Sequence, residues 1–153
     1  MASDISNNTL ERVHSKRDMI EVVSGRLYLA REDVIGKSDL KAATVVIDLS
    51  SGAKGTSLGA WNGSVFLRWD IGGDVEEQMF ESLIRLIAVM IKAPRQSVAL
   101  IGHHDTIDVV AACVLREYLG CKPEIAISIL RESRPKCLTK PDLINTVSNY
   151  RIS

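Results

Sequence analysis

Residues 98–120, VALIGHHDTIDVVAACVLREYLG, hold the side chains best equipped for chemistry, because His103, His104, Asp105 and Asp108 stand close together there. An imidazole such as that of His104 can act as a nucleophile or accept a phosphoryl group. A place at a helix N-terminus would favour its neutral, nucleophilic form. Phosphoryl transfer also needs a cation beside the moving group, and the sequence puts no arginine next to His104, so catalysis there is not expected. The same cluster has a rival reading as a divalent-metal site. Adjacent side chains point in different directions, however, and working sites draw ligands from separate segments. The four residues are therefore expected to diverge, and neither a metal nor a cofactor is assigned.

The three cysteines, Cys113, Cys121 and Cys137, are odd in number and share no metal-ligand spacing. They read as free thiols, with Cys113 a small core residue inside a helix. Trp61 and Trp69 are suited equally to anchoring a partner or covering a sheet edge.

The elements that must position these residues alternate. Residues 19–23 and 26–30 read as two short strands around the turn pair Ser24-Gly25, and Ser38-Asp39 as the cap of a short helix. Residues 44–49 (TVVIDL), 64–69 (SVFLRW) and 97–101 (SVALI) are β-branched or apolar runs of buried strands. Between the first two of these, residues 52–63 form a glycine-rich loop. Met79, Phe80, Leu83, Ile84, Ile87, Met90 and Ile91 draw one apolar face along a helix over 74–92, which Pro94 ends. A helix over 108–119 closes at Gly120. Pro123 starts another helix, and residues 141–150 the last. The prediction is an α/β fold: a mostly parallel central sheet of four to five strands flanked by helices. Residues 1–17 are polar and read as a tail, leaving 18–153 as one domain.

With 153 residues, 46% hydrophobic and 25% charged, the chain has the make-up of one soluble globular domain. Nineteen basic residues balance nineteen acidic ones, which gives no support to a nucleic-acid or membrane-surface partner. No signal peptide or spanning segment is evident, and a cytoplasmic or nuclear protein is expected.

Arg26-Leu27-Tyr28-Leu29, the strand at 44–50, Asp70 at the end of VFLRWD, residues 114–119 (VLREYL) and 126–135 (AISILRESRP) follow one another in an order that resembles the dual-specificity protein phosphatases over about residues 19–152. In that family a strand leads into the loop His-Cys-x-x-Gly-x-x-Arg-Ser and then a helix. The thiolate attacks phosphorus, the glycine lets the loop curl, the arginine grips two oxygens and the serine assists the departing thiolate. The resemblance places His103 on the family histidine, in a structural role bonded to the loop backbone. It places His104 on the cysteine, Ile107 on the glycine, Val110 on the arginine and Ala111 on the serine. Asp70 stands where the family keeps its general acid and reads here as a vestige, a strand-end carboxylate. The resemblance thus implies a pseudophosphatase, without catalytic cysteine or arginine, that serves as a protein-interaction or scaffold module. Asp105 and Asp108 would further repel a phosphate. The alternatives are a phosphoprotein reader and a metal- or histidine-dependent phosphohydrolase on the same frame.

Overall fold

The computed structural model describes residues 19–31, 43–49, 65–68 and 77–152. The tail at 1–17, the helix opening at Ser38, the glycine-rich loop with Trp61, and the positions of Trp69 and Asp70 lie outside the described residues.

Five strands make one sheet. They are β1 (Met19–Val23), β2 (Leu27–Arg31), β3 (Val45–Asp48), β4 (Val65–Arg68) and β5 (Val98–Gly102), in the spatial order β1-β2-β5-β3-β4. The tight turn that joins β1 to β2 has Gly25 at φ 68°, a conformation glycine reaches without strain. This pair is antiparallel, while β2, β5, β3 and β4 run parallel to their neighbours. The mostly parallel sheet foreseen from the sequence is observed, with one antiparallel pair at its edge.

Alternation along the strands sorts the side chains onto two faces. Leu27, Leu29, Val45, Ile47, Val98 and Leu100 join the main core with the helices. Ala30, Val46, Ala99 and Ile101 form a smaller cluster with Ala43 on the other face. Buried on both sides, β5 is apolar at every position before its final glycine, as a central parallel strand must be. Val45, Ile47, Val98, Leu100 and Val110, the core residues foreseen, are at most 5% exposed.

Helix α1 (Glu77–Lys92) buries Leu83, Ile84, Ile87 and Ile91 completely. Met79, expected on that face, is 48% exposed because it sits at the rim of the apolar arc. The Arg26 side chain donates to the carbonyls of Ile91 (3.3 Å) and Ala93 (2.5 Å), satisfying acceptors that the end of α1 leaves without a helical partner. Helix α2 (His104–Leu119) is packed by α1, α3 (Pro123–Ser133) and α4 (Pro141–Asn149). Its residues from Ile107 to Leu115 are therefore all buried. Gly120, at φ 62°, closes α2 in the left-handed conformation. Near its end, the buried Arg116 donates from Nη1 to Val147 O (2.9 Å) and Tyr150 O, and from Nε to Cys121 O (3.2 Å). A cation there ties α2 to the end of α4. Among the described residues no helix is long and apolar enough to cross a membrane.

Candidate functional site

The residues that resemblance and chemistry single out meet where β5 runs into α2. The chain passes Gly102 with no room to spare: a Cβ there would lie 3.3 Å from Ile107 Cγ2 and 3.4 Å from Leu49. His103 follows in an extended conformation (φ −63°, ψ 141°) and caps the helix, its Nδ1 accepting from the Asp105 N–H at 3.3 Å. The His103 side chain is thus bonded to the backbone of the first helical turn.

Helix α2 begins four residues earlier than expected, at His104 instead of Asp108. The Ile107 N–H donates to His103 O at 3.0 Å, a normal helical bond. A β-branched residue resists the left-handed backbone that glycine permits, and Ile107 is fully buried against Gly102. The stretch is consequently a helical turn and not an open loop. Two amides that a cradle would aim at an anion, those of Asp105 and Ile107, are spent on His103. Val110 and Ala111 lie farther along the same helix, both fully buried. Cys113 is also fully buried, which pushes its thiol up to about 12 and leaves it unreactive at neutral pH.

The expected divergence of the polar cluster needs correction. The extended His103 followed at once by helix brings His103 and His104 together, with ring centroids 4.1 Å apart. His104 Nε2 lies 3.3 Å from Asp105 Oδ1. One ligand atom from each of His103, His104 and Asp105 falls within 4.8 Å of the others, so these three could face one ion. Two atoms of the trio are already engaged: His103 Nδ1 accepts from the Asp105 N–H, and Lys140 holds Asp105 Oδ2 at 2.8 Å. Asp108, the fourth candidate, turns into the interior. It is 1% exposed and faces Arg134, with Nε 2.7 Å from Oδ1 and Nη2 3.1 Å from Oδ2. Neither carboxylate is thus the unbalanced charge foreseen from the sequence. Arg134 and Lys140, whose roles sequence reasoning missed, neutralise them from the segment joining α3 to α4.

The two aspartates respond to pH in opposite senses. The Lys140 hydrogen bond, aided by the nearby histidines, holds the Asp105 carboxyl below the usual carboxylate range. Burial raises that of Asp108, with Arg134 opposing the rise. A depressed folded value means that the Asp105 contribution is present above the unfolded value of about 4 and lost as pH falls through the lower folded one. For Asp108 the raised value places its contribution at low pH, to be lost as pH rises. Lys140→Ala should therefore lower the melting temperature at neutral pH, with the gap from the unmodified protein closing below about pH 4. A gap that stayed constant through acid pH would mean that the Asp105–Lys140 bond contributes no pH-dependent stability.

By sequence, no protein family and no curated protein matches this chain. Solved structures do. The human tyrosine phosphatase-like serine/threonine/tyrosine-interacting protein superposes with a TM-score of 0.67 at 18% identity, covering 86% of this chain and 94% of its own. Human DUSP28 gives 0.66 at 14% identity, covering 85% and 90%. Tk-PTP in its active form gives 0.65 at 11% identity, covering 85% and 93%. Identities this low speak to architecture alone, and on that architecture the chain has the fold of the dual-specificity and tyrosine phosphatases.

Proposed function

We propose that this chain is a pseudophosphatase: a non-catalytic protein-interaction or scaffold module on the phosphatase fold. One observation carries the reading. The segment where the resemblance expects a phosphate-gripping loop is helical from His104 onward, its Ile107 amide bonded to His103 O. Catalysis by that fold needs a nucleophile under a ring of free amides and an arginine to offset the phosphate charge. Here the corresponding positions offer an imidazole and a buried valine. One solved protein of this fold is named as an interacting protein, and we extend that kind of role to this chain.

The approach of His103, His104 and Asp105 favours a second reading, a metal- or histidine-dependent phosphohydrolase. Assays of the untagged protein with aryl phosphates and phosphopeptides, with and without zinc or manganese, separate the two. We expect no turnover above buffer in either condition. Turnover that survives Cys113→Ser and disappears with His104→Ala would establish the second reading and end the first.

A further inference from the structure

Beside the start of α2 lies an open cleft of about 870 Å³. One wall comes from β1 and β2, through Ile20 and Arg31, and the other from the segment after α3, through Arg134, Pro135 and Lys136, with His104 between them. We propose that this cleft binds an acidic segment of a partner protein through its carboxylates. The inference rests on the non-catalytic reading above and names the partner's chemistry.

Charge is the first argument. Two guanidinium groups and an ammonium, with an imidazole between them, line the cleft from three separate segments, and no carboxylate is among its described lining residues. Two acids touch this lining and offset part of its charge: Asp108 pairs with Arg134, and Asp105 Oδ1 lies 3.3 Å from His104 Nε2 while Lys140 holds its other oxygen. Glu21 and Glu132 neighbour the walls in sequence without lining them. The N-terminal end of the sixteen-residue α2 adds its positive dipole. In a chain of zero formal charge this is a local field, the kind that steers a negatively charged partner.

Preorganisation is the second. Arg134 is held in place by Asp108. Arg131 donates to Cys137 O (3.3 Å) and Leu138 O (3.0 Å), and Ser133 Oγ donates to Glu21 O (3.0 Å), joining the two walls. Walls fixed before binding spare the partner the cost of ordering them.

Shape decides which anion. A lone phosphate would want converging amides, and those of Asp105 and Ile107 are already used. The cations are instead spread along a cleft near the upper end of the roughly 300–1,000 Å³ typical of ligand pockets. Ile20 and Pro135 give it apolar wall as well. An extended segment that alternates acidic and apolar side chains fits both features.

The test is fluorescence anisotropy of the full chain with a labelled short peptide alternating glutamate and leucine. The same peptide with glutamine in place of glutamate serves as control. We expect the acidic peptide to bind, more weakly as salt is raised, and the control not to bind. The double variant Arg31→Glu, Lys136→Glu, both sites being exposed, should weaken binding by at least about tenfold while its melting temperature stays within the range of surface changes. Equal binding of the two peptides, no binding at low salt, or indifference to the double variant would overturn the proposal. So would displacement of the peptide by inorganic phosphate alone, which would assign a simple anion site. Stronger binding of an RNA oligonucleotide of equal charge would do so too, by assigning a general polyanion surface. None of these outcomes touches the turnover assays, so failure of the cleft proposal leaves the non-catalytic reading standing, and turnover would defeat that reading whatever the peptide does.

Discussion

The variant that combines His104→Cys, Ile107→Gly, Val110→Arg and Ala111→Ser is expected to lose its fold rather than gain a phosphatase activity. These changes would write the family's loop into the chain, but they must do it inside a helix. Ile107 and Val110 are both 0% exposed. Removing a buried isoleucine side chain costs about 2–5 kcal/mol, and glycine inside a helix about 1 kcal/mol more. An arginine at the Val110 position puts an unpaired charge into the core, which costs several kcal/mol further. The sum is comparable with the whole stability of a domain, roughly 5–15 kcal/mol. Circular dichroism and urea denaturation would read the loss directly. The single change His104→Cys is milder, since His104 is exposed. It should leave a folded protein without activity, because the thiolate would have no arginine and few free amides beside it. A folded quadruple variant that hydrolyses aryl phosphates would show that the first turn of α2 readily unwinds into a cradle.

Asp108→Ala is expected to lower stability by about 3–5 kcal/mol, because it leaves the Arg134 guanidinium, 16% exposed, without its partner. Burial pushes the Asp108 carboxyl above its ordinary value even with the arginine beside it, and taking both charges out of water carries a cost. That cost suggests a control. Replacing both partners by apolar residues of similar size, Asp108→Leu with Arg134→Met, removes both desolvation penalties and should recover most of the loss. Urea denaturation of the two variants checks the pair of expectations. A single variant as stable as the unmodified protein would mean that Arg134 finds another acceptor, and a double variant no better than the single would mean that the pair is needed for packing.

Much of the architecture was legible in the chain itself, because the signals are local. The run SVALI reads as a buried strand, and β5 (Val98–Gly102) is one. Gly120 and Pro123 mark the end of α2 and the start of α3 by their backbone preferences. The apolar residues recurring three and four apart define α1, apart from Met79 at the rim. The order of those elements was also enough to suggest the fold that the solved structures share.

The site was decided by tertiary contacts. The extended backbone of His103 passes directly into helix, and Ile107 in the first turn is fully buried against Gly102 at the end of β5. That single transition starts α2 early, uses up the amides and brings two imidazoles and a carboxylate together. Asp108 meets Arg134 across 26 residues and Asp105 meets Lys140 across 35. Side-chain periodicity reports only which face of an element a residue occupies. It carries no information about which distant cation will arrive there, so the neutralised aspartates and the basic cleft beside them appear only when α3 and the segment after it fold back over the start of α2.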